Sequence, residues 1–426
     1  MPIDKNKIFF ILISSYPISI IVGPSVSLAN TLFIIGVYLL IFFKNKHYKF
    51  LFKNKTLKMF LLLYLYLIIN TLFSINHEIG LGRNLGFIRL IILFIAINYF
   101  FYSSKINLKF FYIWTTIFVV FLLDVNLERF SGTNIFGWGA QEINGVIQPD
   151  GTRVVSFFKD EPISGSFIYG FIFLILGYLL LTLKNKKNGK YLYLILTIFF
   201  LVTVVLTGER SNTIKVIFGV FLFIAIIDII KPKTKLLILT VLVGSLILVV
   251  SNSSYLKNRY IGQFYYYILD KDSKNLTNSL YYKLYNSGYN VFKNSPVLGV
   301  GNKNYRIESC GDVEKVKKFN YKCTTHPHQI YIEFLSEHGL LGTIILLTLF
   351  FTLIFKNFKK MIHSKNYIQL GSFVYLISVF LPLLPSGSFF SDFNLTFFFI
   401  NLSLLYAADK NTNIFFVEKN KKNSNF

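Results

Sequence analysis

The sequence predicts an all-α polytopic membrane protein with about twelve transmembrane helices. Three observations support this class: 54% of the 426 residues are hydrophobic, only 15% are charged, and long apolar runs alternate with short basic clusters. Soluble domains carry about 25% charged residues. The formal charge of +24 would favour nucleic acid only if the basic residues gathered on one soluble face. They lie between apolar runs instead, so we expect a lipid bilayer and no nucleic-acid partner.

Twelve apolar runs come close to the length of about 20 residues that a helix needs to cross a bilayer. Pro17 interrupts the first run, which membrane helices tolerate. No small-residue cleavage site follows this run, so we expect it to be retained as a first span. The predicted spans are 8–23, 25–43, 58–76, 85–102, 107–123, 164–183, 191–207, 212–230, 235–251, 338–355, 367–385 and 389–407.

The basic residues predict the orientation, because cytoplasmic loops are enriched in Lys and Arg. With the N-terminus inside, every short lysine-rich loop is cytoplasmic, and the short outer turns hold only Arg83 and Arg210. Both termini are then cytoplasmic. The predicted regions are spans one to nine at 1–251 with an outer loop at 124–163, a large helical outer loop at 252–337 between spans nine and ten, spans ten to twelve at 338–409, and a basic tail at 410–426.

The two cysteines, Cys310 and Cys323, both lie in the large outer loop. Zinc sites need about four ligands, usually at tighter spacing. In an oxidising compartment a disulfide is the favoured interpretation, and it would stabilise the protein by roughly 3 kcal/mol in the chain-entropy model. Metal binding and redox chemistry are the alternatives.

Titratable residues gather just ahead of the tenth span: His326, His328, Glu333, Glu337 and His338. Ionisable groups at a membrane boundary are costly and usually mark a functional site. His328 is the candidate base, because a neutral imidazole accepts a proton near pH 7, and Glu333 or Glu337 could orient it. The alternative is a hydrogen-bonded interfacial histidine. No His-Glu-x-x-His pattern occurs, so we expect no zinc site.

Arginines at the same predicted face are candidates for phosphate binding, because guanidinium binds phosphate oxygens bidentately. Arg210 lies between the seventh and eighth spans, and Arg153 and Glu161 lie near the end of the first outer loop. The alternative for Arg210 is a snorkelling side chain or an ion pair with Glu209, and Arg259 is equally consistent with a solvated loop residue. We expect these groups and the histidines to converge on one site.

Aromatic residues mark a further feature of the large outer loop. Tyr281, Tyr285 and Tyr289 recur four residues apart, which predicts an amphipathic helix. They fit an aromatic belt at the lipid headgroups or a surface that stacks on sugars. The turn Pro296–Gly301 resembles a phosphate loop only superficially, because neither a Lys-Ser/Thr pair nor a strand–helix unit follows it.

Four motifs in order, across roughly 150–345, resemble the signature of the O-antigen ligase/polymerase superfamily. They are Arg153–Glu161, Gly208–Ser211, Asn294–Gly301 and His328–Gly342. The last resembles the family's His-Asn … Glu-x-Gly-x-x-Gly pattern, with Gln329 where the family usually has Asn. The long outer loop between spans nine and ten is also similar to that family.

The resemblance implies a GT-C-like glycosyltransferase of the bacterial inner membrane that needs no nucleotide, metal or other cofactor. Such an enzyme moves a glycan from an undecaprenyl-diphosphate carrier to a sugar hydroxyl at the periplasmic face. The acceptor is lipid A-core for a ligase and the growing glycan for a polymerase. The resemblance makes His328 the base and Arg210 a diphosphate contact, and the expected substrate-binding residues are Arg153, Glu161, Arg259, Gln329 and Glu337.

Two alternatives stay open at this level. The shared donor chemistry does not separate a ligase from a polymerase. A transporter or flippase for polysaccharide or lipid-linked oligosaccharide also fits twelve spans, but transporters often place charge near the membrane midplane at broken helices. In this chain the charged residues cluster at the outer face, which favours glycosyl transfer.

Overall fold

The computed structural model describes residues 5–45, 54–104, 108–139, 142–143, 146–147, 153–159, 161–269 and 273–416. The lysines predicted for inner loops at 46–53 and 105–107, and the tail from 417 onward, lie outside these residues. The described chain is predominantly helical. A two-residue antiparallel pairing of Glu142–Ile143 with Val146–Ile147 is its β structure.

The α-helices are numbered here in chain order. They are α1 (Lys5–Ser14), α2 (Tyr16–Val22), α3 (Pro24–Lys44), α4 (Lys55–Leu72), α5 (His77–Gly86), α6 (Ile88–Ser103), α7 (Lys109–Ser131), α8 (Ser164–Leu183), α9 (Gly189–Leu206), α10 (Arg210–Ile226), α11 (Pro232–Ser251), α12 (Ser254–Lys257), α13 (Ser273–Asn278), α14 (Leu280–Asn294), α15 (Tyr305–Cys310), α16 (Val313–Lys318), α17 (Ile330–Phe355), α18 (Phe358–Ser364), α19 (Tyr367–Val379) and α20 (Asp392–Ala407). A 3-10 turn at Ser156–Phe158 and π-helical turns at Asn258–Gly262 and Tyr265–Leu269 complete the helical structure.

The membrane character of the predicted fold is confirmed, but its count of twelve spans is not. Helices occupy all twelve predicted positions, and eight in the described chain are long and apolar enough to cross a membrane. The count is nine if α1 and α2, which meet at a 47° bend, form one span. The Pro17 interruption lies at this bend, near the start of α2.

Among the predicted spans, two have C-terminal ends that lie furthest from the ends of their helices. The span predicted to end at 385 stops at Val379, because Pro382 and Pro385 cannot donate backbone hydrogen bonds and disfavour helix before them. Helix α7 extends to Ser131, past the predicted end at 123. Its last turns contain buried Asp124 and Glu128, whose hydrogen-bond partners, described below, lie too far along the chain to be recognised in the sequence.

Helices α8, α19 and α20 form the most buried part of the bundle. Glycines let α8 and α19 approach closely: a Cβ on Gly177 would lie 2.2 Å from the Tyr367 carbonyl oxygen, and a Cβ on Gly371 would lie 2.1 Å from the Phe173 carbonyl oxygen. Small residues at crossings allow backbone contact between membrane helices. This contact fixes the start of α8 against the end of α19, on either side of the cavity described below.

Helix α17 is broken where its charged residues end. Gly339 has φ +64°, outside helical geometry, and the Pro296–Gly301 loop lies against the break. The Gly301 N–H donates to the Glu337 carbonyl oxygen at 2.8 Å, and a Cβ on Gly299 would lie 2.4 Å from the Glu337 carbonyl carbon. The glycines of this motif therefore serve backbone docking, which accounts for the motif without a nucleotide site.

Candidate active site

A cavity of about 960 Å³ lies at the end of the bundle where α8 and α10 begin. Its walls are the starts of these helices, the segment from the first π-helical turn to α14, the residues just before α17, and the loop between α19 and α20. Its volume is at the upper end of the range typical of ligand sites. Polar and aromatic side chains in the walls include Arg153, Glu209, Arg210, Lys215, Arg259, Tyr260, Tyr267, Tyr281, Tyr282, Tyr285, His328 and Ser386.

The cavity brings together four of the residues predicted for the site. Arg153, Arg210, Arg259 and His328 all line it, although they come from four segments that are distant in the sequence. Arg153 is exposed at the rim, and the other three are partly buried. This convergence is the arrangement expected from the predicted common membrane face.

The three arginines form no ion pair with a carboxylate of the described chain. No ion pair among the described residues includes Arg153, Arg210 or Arg259. The Arg259 Nε donates to the Gly208 carbonyl oxygen at 3.1 Å, and Arg210 and Arg259 are close enough to repel each other electrostatically. Arg210 and Arg259 therefore place two like charges close together in the cavity wall, an arrangement that favours a bound anion.

Glu209 is buried beside Arg210 and ties the α9–α10 turn to the start of α8. Its carboxylate accepts hydrogen bonds from the Gly165 N–H at 2.6 Å and from the Asn212 Nδ2 at 2.7 Å. Burial raises the pKa of Glu209 to about 6, against the lowering effect of these hydrogen bonds and of the nearby Arg153 charge. Glu209 therefore holds the turn that carries Arg210. It does not form the ion pair with Arg210 that was the alternative interpretation.

Buried carboxylates at the end of α7 position the segment that carries Arg153. The Glu128 side chain accepts from the Val155 N–H at 3.0 Å and the Ser156 N–H at 2.5 Å. The Asp124 side chain accepts from the Ser156 hydroxyl at 2.5 Å. These charge-assisted hydrogen bonds fix the backbone next to Arg153 at the cavity rim.

His328 is held in an unusual backbone conformation, with φ +56°. Non-glycine residues in this region store strain of about 1–3 kcal/mol, which is found most often at functional sites. Its ring lies against that of His326, with centroids 4.0 Å apart. Its carbonyl oxygen accepts from the Ser386 N–H at 2.8 Å, so the α19–α20 loop holds it in place.

The imidazole of His328 is neutral at neutral pH. Burial, with a smaller contribution from the charge of His326, lowers the pKa of His328 to about 4, against the raising effect of Glu333. Burial also lowers the pKa of His326 to about 4, with a contribution from Lys303. A neutral ring next to several cations keeps one nitrogen free to accept a proton.

A buried polar network lies behind His328. Glu333 is fully buried and accepts from the Ser388 hydroxyl at 2.6 Å and the Phe389 N–H at 3.0 Å. Lys303 donates to the same Ser388 hydroxyl. Glu333 acts on His328 electrostatically, and neither Glu333 nor Glu337 makes a hydrogen bond to it among the described residues. Glu333 therefore supports the loop that holds His328.

Three other predicted residues do not line the cavity. Gln329 is buried, and its Oε1 caps α17 by accepting from the Ile332 N–H at 2.8 Å. Glu337 is fully buried, with its Oε1 accepting from the Tyr305 N–H at 3.4 Å. Glu161 is exposed, and its neighbour Pro162 lines the cavity instead. Gln329 and Glu337 are thus structural neighbours of the site, while Glu161 lies near its rim.

Cys310 and Cys323 form a disulfide. It joins the end of α15 to the segment that leads into His326 and His328. Closing a loop of this length stabilises a fold by roughly 3 kcal/mol in the chain-entropy model. Elsewhere in the described ranges, no three His, Cys, Asp or Glu side chains are grouped so as to hold a metal ion.

Several cavity residues were not predicted from the sequence. Lys215 is buried, and its only signal is a single lysine within an apolar run, which membrane proteins usually reserve for function. The α19–α20 loop was assigned to a span, although Pro382 and Pro385 signal a turn. The predicted tyrosine helix exists as α14, and Tyr281 and Tyr285 line the cavity.

The fold and this site define a helical membrane protein with a cavity at one end of its bundle that is lined by three arginines and a histidine. Residues 193–347 match the family model for O-antigen ligase. The match begins within α9, covers α10, α11 and the segment between α11 and α17, and ends within α17, and it confirms the resemblance to the O-antigen ligase/polymerase superfamily. No curated protein matches the chain significantly.

Proposed function

We propose that this protein is a membrane glycosyltransferase that moves a glycan from an undecaprenyl-diphosphate carrier to a sugar hydroxyl. The observation that carries the proposal is the cavity in which Arg153, Arg210 and Arg259, which form no ion pair among the described residues, face the same space as His328. A lipid-linked diphosphate supplies the anion that these cations lack. The O-antigen ligase match over 193–347 supports this substrate class.

The proposed reaction is a single displacement. The acceptor oxygen attacks the anomeric carbon, the bond from that carbon to the phosphate oxygen breaks, and its electron pair stays on the diphosphate. His328 takes the proton of the acceptor hydroxyl. Arg210, assisted by Arg153 and Arg259, stabilises the charge that develops on the leaving group, which is the task of fixed cationic donors in such transition states. The anomeric configuration is inverted.

The donor itself strengthens the base. An imidazole with a pKa of about 4 is a weak base in the empty cavity. A diphosphate bound beside His328 adds negative charge, and nearby opposite charge raises a histidine pKa. Proton abstraction is therefore favoured once the donor is bound, which protects the carrier-linked glycan from idle reaction.

The remaining residues have supporting roles in this proposal. Glu161 and the cavity tyrosines contact the glycan, because aromatic faces pack against sugar rings. Gln329 and Glu337 act as positioning residues through α17. The fixed cations take the part that a metal ion plays in other transferases, so the reaction uses neither metal nor cofactor.

We further propose that the protein lies in the bacterial inner membrane with twelve spans and cytoplasmic termini. The cavity and the segment between α11 and α17 then face the periplasm, where Cys310 and Cys323 meet an oxidising environment. The acceptor is lipid A-core in a ligase and a growing glycan in a polymerase. A deletion strain separates them: a polymerase mutant keeps one repeat unit on lipid A-core, and a ligase mutant leaves the core bare.

The central test uses the purified full-length protein in nanodiscs with lipid-linked donor and acceptor. We expect His328→Ala to lower transfer by at least about 100-fold, the usual contribution of a general base. His363→Ala is the matched control, since His363 is an exposed residue of α18 outside the cavity walls. Full transfer by His328→Ala would overturn the assigned base, and donor translocation in proteoliposomes by a protein that performs no transfer would favour a flippase.

A further inference from the structure

Lys215 is a cavity residue that the proposed reaction leaves unused. It lies on α10 and lines the cavity, yet its relative exposure is only 6%. Most of α10 is apolar, with Ile214 and Val216 on either side of Lys215. Lysines are almost never this buried without a partner, so the position calls for a counter-charge.

The described chain supplies little compensation for this ammonium. Its closest aromatic neighbour is Tyr169, with the ring centroid 5.6 Å from Nζ, a cation–π contact that offsets part of the cost of burial. No ion pair among the described residues includes Lys215. Glu209 is the carboxylate among the described residues that line the cavity, and its oxygens are already bonded to Gly165, Ser166 and Asn212.

Lys215 also lies deeper than the arginines. Arg210 is the first residue of α10 and is partly exposed, whereas Lys215 is buried further along the same helix. Five residues at 1.5 Å each place the two Cα atoms about 7.5 Å apart along the helix axis. The cations therefore form two levels, one at the mouth of the cavity and one inside it.

Resting on the proposed function, we infer that Lys215 binds the phosphate nearer to the lipid chain of a polyprenyl-diphosphate donor. The arginines at the mouth hold the phosphate that is attached to the sugar. A donor whose lipid enters the membrane and whose glycan leaves it presents its two phosphates in this order. The Tyr169 hydroxyl donates to the Tyr375 carbonyl oxygen at 3.2 Å, so the ring beneath the ammonium is fixed.

The test measures binding of three probes to the full-length protein in nanodiscs by native mass spectrometry. The probes are undecaprenyl diphosphate, undecaprenyl monophosphate and undecaprenol. We expect Lys215→Met to weaken binding of undecaprenyl diphosphate and of undecaprenyl monophosphate at least about tenfold and to leave the binding of undecaprenol unchanged. Arg210→Met should weaken mainly the diphosphate. Lys233→Met, at an exposed lysine of α11, should match wild type with all three probes.

The outcomes separate this inference from the proposed function. If wild type binds undecaprenol as well as the two phosphates, the proposed function fails. If wild type prefers the phosphates and folded Lys215→Met keeps that preference, the role of Lys215 fails. The assignment would be reversed, and so overturned, if Lys215→Met weakened binding of undecaprenyl diphosphate alone while Arg210→Met weakened binding of both the diphosphate and the monophosphate probe.

Thermal unfolding excludes a trivial loss. Replacing a buried, uncompensated charge with an apolar side chain of similar volume is neutral or stabilising, so Lys215→Met should melt at or above the wild-type temperature. A merely structural lysine would instead give a lower melting temperature with phosphate binding intact. If Lys215→Met does not fold, Lys215→Gln provides the same comparison, with the same expected loss.

Discussion

Two clusters of arginines lie at the same end of the bundle and differ in their carboxylate partners and in the space beside them. Arg83 and Arg89 both contact the Oδ1 atom of Asp392, with the Arg83 nitrogen 2.5 Å away. Arg153, Arg210 and Arg259 have no such carboxylate among the described residues. The space next to Arg89 and Asp392 is only about 30 Å³, against about 960 Å³ beside the second cluster.

The difference teaches how to recognise a structural cation and a functional one. The first cluster joins α5 and α6 to the start of α20, and its pocket is too small for anything much larger than a water molecule. The second cluster keeps its positive charge available next to a large space. Within the described residues, the second cluster is distinguished by the lack of an ion-paired carboxylate and by the large space beside it, rather than by the presence of arginine.

The largest expected effect tests the unpaired cluster directly. Arg210→Met should lower transfer by about 100- to 1,000-fold, the cost of losing one donor to a developing anion, while the melting temperature stays close to wild type. Steady-state transfer and thermal unfolding on the same preparation measure both quantities. Arg83→Gln is the control, expected to transfer normally. Equal losses of transfer in the two variants would erase the distinction between the clusters.

The next effect concerns the disulfide that restrains the segment leading to His328. The double variant Cys310→Ser, Cys323→Ser should lose roughly 3 kcal/mol of unfolding free energy, and transfer should fall with it because the histidine segment is less restrained. Thermal unfolding with and without reductant measures the change. The double variant should no longer respond to reductant. A wild-type protein that is also indifferent to reductant would show that the disulfide contributes no stability.

A smaller effect tests Glu209, the carboxylate at the unpaired cluster. Its pKa of about 6 lies above the ordinary value of 4.5. Between these two pH values the Glu209 carboxyl is protonated in the folded state and ionised in the unfolded state. Stability therefore falls by about 2 kcal/mol as the pH rises from about 4.5 to about 6. Glu209→Gln should lack this loss, so it should gain stability relative to wild type across that range.

Two histidines act in the opposite direction over an overlapping range. The lowered pKa values of His326 and His328 make stability rise with pH between about 4 and 6.5. Both histidines are present in Glu209→Gln and in wild type, so their contribution cancels in the difference in stability between the two proteins, measured by thermal unfolding at each pH. A difference that does not change with pH would contradict the assigned pKa of Glu209.

The smallest effect tests the paired cluster. Asp392→Asn removes the shared carboxylate of two partly exposed arginines and should cost about 1 kcal/mol of stability, the upper end for exposed ion pairs. High salt should reduce the difference from wild type, because screening weakens the pair. Transfer should remain close to wild type. A large loss of transfer with unchanged stability would place Asp392 in the functional cluster instead.

Much of the fold could be predicted because hydropathy and helix length follow from local composition. The structure has a helix at the position of every predicted span, and the predicted span 164–183 coincides with α8. The prediction was wrong where distant hydrogen-bond partners or turn residues determine the end of a helix. Helix α7 continues past 123 because Val155 and Ser156 donate hydrogen bonds to the carboxylates in its last turns. Helix α19 ends early because prolines follow it.

The site was predicted in part for a similar reason. Arg153, Arg210 and His328 were recognisable from motifs and from charge at a common face, whereas Arg259 was included only through the family resemblance. The sequence could not show that Gln329 caps a helix or that Lys215 is buried in the cavity, since both depend on packing between elements. Glu337 was recognisable as unusual, but its place behind the cavity wall depends on the loop that docks on α17.

The break at Gly339 has a consequence for how α17 transmits rotation. Each residue of a continuous helix turns the next by about 100°, so an inserted residue in the membrane part would normally rotate everything before it. Because Gly339 leaves helical geometry, the angular phase of Leu340–Phe355 ends there. The Ser386 N–H holds the His328 carbonyl oxygen, and the Pro296–Gly301 loop forms hydrogen bonds on both sides of the break, with Ser336 and Glu337 before it and with Leu340 and Leu341 after it. The orientation of the His328 end of α17 therefore rests on these loops and not on one continuous helix.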